Sequence, residues 1–258
     1  MEQDFIKIKK LLLDHINLIL KEYPNCAREQ LSNAINNDAE IVKFNPSNTI
    51  TFIVQDGVLL LPKSAYQVFQ LLKKYKNYGI KLNNHRSVED YLDTNTTYME
   101  YIEHVIEGGI SVCEFFEESL LHEAMHICGS QGGTPLEEGI NELKTRELAQ
   151  KYNVRIAAYG YSKEVEIAKR LQQIIGKEIM NELTFIPRYE RKKFITDKLG
   201  YEVGELYVLL SNKMIEKSKC YFSKLIQVND PFEKARLYED IDYTELYQII
   251  DCHIKKKQ

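Results

Sequence analysis

The stretch His122-Glu123-Ala124-Met125-His126 governs how this chain is interpreted. On an α-helix, residues four apart lie one turn apart on the same face, so the two imidazoles of this HExxH pattern can reach one metal ion. The carboxylate of Glu123 lies beside them, where a general base would be needed. The pattern therefore predicts a zinc ion bound by His122 and His126, with Glu123 next to it.

The residues around this motif favour a helix. Ser111 and Glu114 fit a capping box at its start, and Gly129 is a natural stop at its end. Between these positions, apolar residues recur densely enough for a buried helix. We therefore predict a helix from about Val112 to Cys128.

Three carboxylates downstream compete to be the third metal ligand, namely Glu137, Glu138 and Glu142. Thr134 and Pro135 suit the N-cap and the first position of a second helix. Glu137 is then the third helical residue, whose carboxylate should bind backbone N–H groups. Glu138 can close a His₂Glu site that leaves the fourth zinc position open.

Glu142 lies one turn after Glu138 on the same face of that second helix. A carboxylate there is expected to accept the outer N–H of a ligating His and so fix the orientation of its ring. Glu137 is an alternative for that role. Glu137 and Glu142 are also the alternatives to Glu138 as the ligand.

This arrangement resembles the gluzincin group of HExxH metallopeptidases, in particular small bacterial members in which E-G-x-x-E follows the motif. The resemblance covers roughly residues 97–185, and the chain departs from the group in a shorter spacing, since Glu138 lies twelve residues after His126. Glu137 also stands where an Asn often precedes the ligand. The resemblance implies zinc-dependent peptide-bond hydrolysis with one zinc ion. The roles carried over are zinc binding by His122, His126 and Glu138, activation of a zinc-bound water by Glu123, and support of a ligand His by Glu142.

Hydrolysis of this kind also needs a donor for the negative charge that develops on the carbonyl oxygen. No motif in the chain identifies that donor. Tyr161 is the preferred candidate because it follows the predicted ligand helix closely. Tyr159 and Arg188 are alternatives.

The predicted fold class is α+β, mainly α-helical: a zincin-like metallopeptidase core with one β-hairpin and a C-terminal helical lobe. Residues 49–54 and 58–61 around Asp56-Gly57 predict the hairpin. By analogy with zincins, the edge of this hairpin is expected to pair with an extended substrate. One catalytic domain is expected over residues 1–258, with an N-terminal lobe at about 1–128 and a C-terminal lobe at about 129–258. Apolar periodicity predicts further helices at about 4–22, 26–36, 64–78, 87–92, 98–107, 162–175, 177–183, 188–199, 202–226, 231–240 and 243–256.

Composition limits the compartment and the partners. The chain has five scattered Cys without C-x-x-C spacing, which indicates free thiols and a cytoplasmic protein. It shows no signal peptide and no long apolar run, so no membrane partner is expected. A net charge of −4 and the lack of a nucleic-acid motif argue against nucleic acid. The basic run at 188–193 is interpreted as solvated surface.

The expected partner is a peptide or protein substrate. The segment from Glu100 to Glu147 carries eleven Glu against Lys144 and Arg146, which favours cationic substrates. Endopeptidase activity is preferred, because no motif for gripping a chain terminus is present. The alternative function is a catalytically inactive zincin-fold protein with a binding or regulatory role.

Overall fold

The computed structural model describes residues 2–24, 42–45, 53–55, 58–62, 112–129, 133–156, 161–225, 237–238 and 240–257. The strands in these residues are β1 (Val42–Asn45), β2 (Ile53–Gln55) and β3 (Val58–Pro62). The helices are α1 (Glu2–Glu22), α2 (Val112–Cys128), α3 (Pro135–Tyr152), α4 (Ser162–Ile175), α5 (Lys177–Phe185), α6 (Arg188–Leu199), α7 (Tyr201–Leu225) and α8 (Thr244–Lys257).

The helix predictions that fall on described residues are confirmed. The motif helix is α2, with the bounds that its flanks predict, and α3 begins at Pro135 after Thr134. The predicted helix at about 4–22 is α1, and those after residue 161 are α4 to α8, each within two residues at either end. The helices predicted at about 26–36, 64–78, 87–92 and 98–107, and most of that at 231–240, lie outside the described residues.

The predicted fold class, α+β with one β-hairpin, is wrong. Among the residues whose side chains the structure describes, 87% are helical and none lies in a strand. The strands also do not form a single hairpin. β2 pairs antiparallel with β3, and β1 pairs with β3 in parallel, so the strand order is β1-β3-β2. The prediction failed because the Asp56-Gly57 turn signal indicates only that the two strands beside it pair. The parallel pairing of residues 42–45 with β3 joins strands that lie farther apart in the sequence.

Contacts divide the chain into two compact units. The first comprises Met1–Cys128 and Thr145–Tyr159, and the second comprises Gly129–Lys144 and Gly160–Gln258. The first half of α3 thus belongs to the second unit. The expected lobes at 1–128 and 129–258 stay a prediction, and Thr145–Tyr159 groups with the first unit.

In the first unit, α1 packs against α2. The apolar side chains Leu12, Ile16 and Ile19 of α1 are all fully buried. His15 of α1 is also buried, and its Nε2 lies 2.8 Å from Glu117 Oε2 on α2. This packing fixes the helix that carries the HExxH motif.

In the second unit, the first half of α3 joins a core built by α4 to α8. Its contribution is the apolar face Leu136, Ile140 and Leu143. Burying one face of α3 in this core sets which way its other faces point, including the face that bears Glu138.

A buried polar group ties the second unit together. The hydroxyls of Tyr238 and Tyr243 both donate to the carboxylate of Glu164 on α4, the second at 3.0 Å. Burial, reinforced by the neighbouring Glu164 carboxylate, raises the pKa of Tyr238 and of Tyr243, so both stay protonated donors. No helix in the described part of the chain has the length and apolarity needed to cross a bilayer.

Candidate metal centre

Two buried imidazoles of α2 face each other. His122 and His126 are 6% and 7% exposed, and their Nε2 atoms lie 3.1 Å apart. Two nitrogens bound to one tetrahedral zinc, each at about 2.0–2.1 Å, lie about 3.3 Å apart. The rings therefore already present the atoms and nearly the separation that a shared zinc ion requires. The same separation also suits an N–H···N hydrogen bond between the two rings when no metal is bound.

Glu138 is the acid that joins this pair. One ligand atom from each of His122, His126 and Glu138 lies within 4.8 Å of the others. This spread exceeds the separation of two zinc-bound donors, so a bound ion would have to draw the donors closer. The donor set of two imidazoles and one carboxylate is one that zinc takes in catalytic sites. The residues present therefore fit the metal that the motif predicts.

The start of α3 is built as predicted, by a capping box. The backbone N–H of Thr134 donates to Glu137 Oε2 at 3.1 Å, and the backbone N–H of Glu137 donates to Thr134 Oγ1 at 3.3 Å. The prediction that Glu137 binds backbone N–H groups is confirmed. Its other oxygen, Oε1, faces Arg191 and Arg188 at 3.3 and 3.7 Å.

Gly139 allows α3 to approach α4 closely. A Cβ added at Gly139 would lie 2.5 Å from the carbonyl carbon of Glu164 and 2.7 Å from its Cβ. Any side chain there would push the two helices apart. Because Gly139 follows Glu138 directly, this contact also sets how far the candidate ligand projects, which gives a physical reason for the Gly in the E-G-x-x-E pattern.

α3 buries five polar or charged side chains. Lys144 is fully buried, and its ammonium donates to Gln172 Oε1 on α4 at 2.7 Å. A buried polar side chain needs a hydrogen-bond partner, so this set restricts the positions that α3 can take. The buried polar residues of α3 are Glu137, Asn141, Glu142, Lys144 and Thr145.

Two further predicted site residues, Glu123 and Glu142, lie on α2 and α3. Glu123 is half-buried on α2, between the two His. Glu142 is buried on α3, as its predicted role requires. Nδ1 of His126, its outer nitrogen, makes no hydrogen bond with residues that the structure describes, so Glu142 does not accept from that atom here.

Of the candidate oxyanion donors, Tyr161 and Arg188 are described and Tyr159 lies outside the described residues. Tyr161 precedes α4 with a left-handed backbone, φ 53° and ψ 33°, and its side chain is 41% exposed. Arg188 is 59% exposed and lies beside Glu137. The role of oxyanion donor stays a prediction for each of them.

Sequence reasoning missed Arg191, because the run at 188–193 was interpreted as solvated surface. The side chain of Arg191 is 3% exposed. The available signal was helical spacing, since Arg191 lies four residues before Ile195 and these two are the buried residues of α6.

Cys128 ends α2 two residues after His126, and burial raises the pKa of its thiol to about 12. In the residues that the structure describes, the group of close ligand atoms contains the carboxylate of Glu138 and not this thiol.

Comparison of the chain with protein-family models, with curated proteins and with solved structures found no match. The assignment of the site therefore rests on the motif and on the geometry of this chain.

Gly139→Ala is expected to destabilise the protein by about 1–3 kcal/mol through overpacking against α4. It should also weaken zinc binding, because the shift displaces Glu138. Thermal unfolding of the metal-depleted protein and zinc affinity by chelator competition measure the two effects.

Gly204→Ala is the matched control, since a Cβ at Gly204 would meet the Thr196 side chain where α6 and α7 pack. It should destabilise the protein and leave zinc affinity unchanged. Equal zinc affinity in the wild type and in Gly139→Ala would show that this contact does not place the ligand.

Proposed function

We propose that this chain is a zinc-dependent peptidase of the gluzincin type, which hydrolyses peptide bonds in peptide or protein substrates. The observation that carries the proposal is the pair of buried imidazoles of His122 and His126, with Nε2 atoms 3.1 Å apart and Glu138 within reach of both. The two facing nitrogens and the nearby carboxylate make up a donor set that zinc takes in catalytic sites. One zinc ion held by these three residues would explain the arrangement.

Held by His122, His126 and Glu138, a zinc ion would supply a water of lowered pKa and would polarise the scissile carbonyl. Glu123 takes a proton from the attacking water as its oxygen bonds to the carbonyl carbon. Glu123 then delivers that proton to the nitrogen of the leaving amine as the C–N bond breaks. The half-buried position of Glu123, next to His122 on α2, supports this role, because a half-buried carboxylate is accessible to water and substrate.

Tyr161 is proposed as the donor to the developing oxyanion. Its left-handed backbone is unusual for an aromatic residue, and such strained positions cluster at functional sites. The hydroxyl of a tyrosine is a suitable donor because its pKa of about 10 keeps it protonated at neutral pH.

The proposed compartment is the cytoplasm. Both cysteines whose side chains the structure describes, Cys128 and Cys252, are free thiols. Thiols persist in a reducing compartment and are oxidised to disulfides outside it.

Purified wild-type protein is expected to contain close to one zinc per chain. His126→Ala and Glu138→Ala should each lose most of it, because each removes one of three donors. Metal analysis beside folded-state circular dichroism measures this. Zinc retained in Glu138→Ala would transfer the third ligand to Glu137 or Glu142, and no zinc in the wild type after reconstitution would refute the proposal.

Glu123→Gln is expected to lower peptide hydrolysis by a factor of about 10²–10⁴, because the amide cannot take the proton. Zinc content should stay at the wild-type level. A quenched-fluorescent peptide library measures turnover, and fragment masses separate internal from terminal cleavage.

Wild-type turnover in the Glu123→Gln variant would refute Glu123 as the base. Zinc binding without cleavage of any library peptide by the wild type would favour the alternative, a catalytically inactive binding or regulatory protein.

Tyr161→Phe is expected to lower kcat about 10²–10³-fold with little change in KM, since the lost hydrogen bond forms mainly in the transition state. The matched control is Tyr189→Phe, at a residue that is 83% exposed. Unchanged kcat in Tyr161→Phe would exclude this tyrosine as the donor.

A further inference from the structure

We propose that Arg191 is a positioning residue for the candidate zinc ligand Glu138, acting through the buried carboxylate of Glu137. The inference rests on the proposed function, because it gives a residue of α6 a part in holding the zinc-binding end of α3. Arg191 belongs to the basic run at 188–193, which the sequence predicts to be solvated surface.

The carboxylate of Glu137 is an integral part of the first turn of α3. One of its oxygens accepts the backbone N–H of Thr134, and its own backbone N–H is bound by the Thr134 hydroxyl. Its side chain is 3% exposed. A displacement of this carboxylate would therefore also displace the backbone at the start of α3.

Arg191 supplies the opposite charge. Its Nη1 lies 3.3 Å from Glu137 Oε1, and both side chains are 3% exposed. Arg188 also approaches the same oxygen, but at 3.7 Å and 59% exposed. Solvent screens a pair formed by an exposed guanidinium, whereas a buried pair is screened much less. Arg191 is thus the main counter-charge of Glu137.

The guanidinium of Arg191 is itself held in place from two further sides. Its Nε donates to the backbone carbonyl of Ile186 at 2.9 Å, just after the end of α5. Its Nη1 donates to the hydroxyl of Tyr207 on α7 at 3.5 Å. Through Arg191, the start of α3 is tied to α5, α6 and α7.

Glu138 is the residue between two fixed points. Glu137 before it is held by Arg191, and Gly139 after it is pressed against the backbone of Glu164 on α4. A metal site needs its ligands within about 0.5 Å of the productive geometry, and groups behind the ligands commonly set this. Without Arg191, the first turn of α3 loses one of its two supports, and the carboxylate of Glu138 is held less accurately.

The test compares Arg191→Met with Lys192→Met. Both remove one positive charge from α6 and add the same side chain, but Lys192 forms an exposed pair with Glu205, not with Glu137. Zinc affinity is measured by competition with a chromophoric chelator, and stability by thermal unfolding of the metal-depleted protein. Arg191→Met should weaken zinc binding about tenfold or more, and Lys192→Met should leave it unchanged.

The same Arg191→Met change in a Glu138→Ala background shows whether the effect passes through Glu138. There it should cause no further loss of zinc affinity, because the positioned ligand is already gone. An equal loss in both backgrounds would mean that Arg191 acts on the fold as a whole, and it would overturn the inference.

Glu137→Gln/Arg191→Met keeps the inference testable if Arg191→Met alone unfolds. It removes both buried charges, so stability should recover relative to Arg191→Met. Zinc affinity should stay low, because the tie to α6 is still missing. Wild-type zinc affinity in this double variant, or in a folded Arg191→Met protein, would overturn the inference and leave the proposed function standing. A wild type that binds no zinc would overturn both.

Discussion

The carboxylate of Glu137 is the constraint on which the ligand-bearing part of this structure depends. A buried carboxylate destabilises the fold unless its charge is matched and its oxygens are bound. Here one oxygen binds the backbone of Thr134 and the other faces Arg191. The helix start, the ion pair and the junction between α5 and α6 are therefore formed together. These contacts also set the position of the neighbouring Glu138.

α3 shows how a helix can be both a structural and a functional element. Its apolar face enters the core of the second unit, whereas its other faces bury carboxylates, an amide and the ammonium of Lys144. Every such polar group needs a partner, so the helix has very few alternative positions. That restriction is what a metal ligand needs, because a carboxylate on a loosely packed helix would bind zinc weakly.

Much of the helical structure could be predicted from the sequence, as could the grouping of His122, His126 and Glu138, because both depend on local patterns. The HExxH spacing fixed the face of α2, and Thr134-Pro135 with Glu137 gave the start of α3 to the residue. The three-stranded sheet could not be predicted in the same way, since β1 joins β3 across a long separation in the chain. The pairing of Glu137 with Arg191 is equally non-local, and a basic run offers no local sign of which charge is buried.

The structure bears on the prediction that the acidic segment from Glu100 to Glu147 favours cationic substrates. Two of its carboxylates are engaged by nearby groups: Glu117 lies 2.8 Å from His15, and Glu137 pairs with Arg191. A carboxylate paired inside the protein contributes little attraction to an incoming cation. Counting Glu residues along the segment therefore overstates the negative potential that a substrate would meet.

The most direct test of the account is the position of zinc in crystals of the zinc-loaded protein, located by anomalous scattering at the zinc edge. The account predicts one peak about 2.0–2.2 Å from Nε2 of His122, Nε2 of His126 and a carboxylate oxygen of Glu138. A peak bound by Glu137, Glu142 or a cysteine in place of Glu138, or no peak beside the two imidazoles, would contradict it.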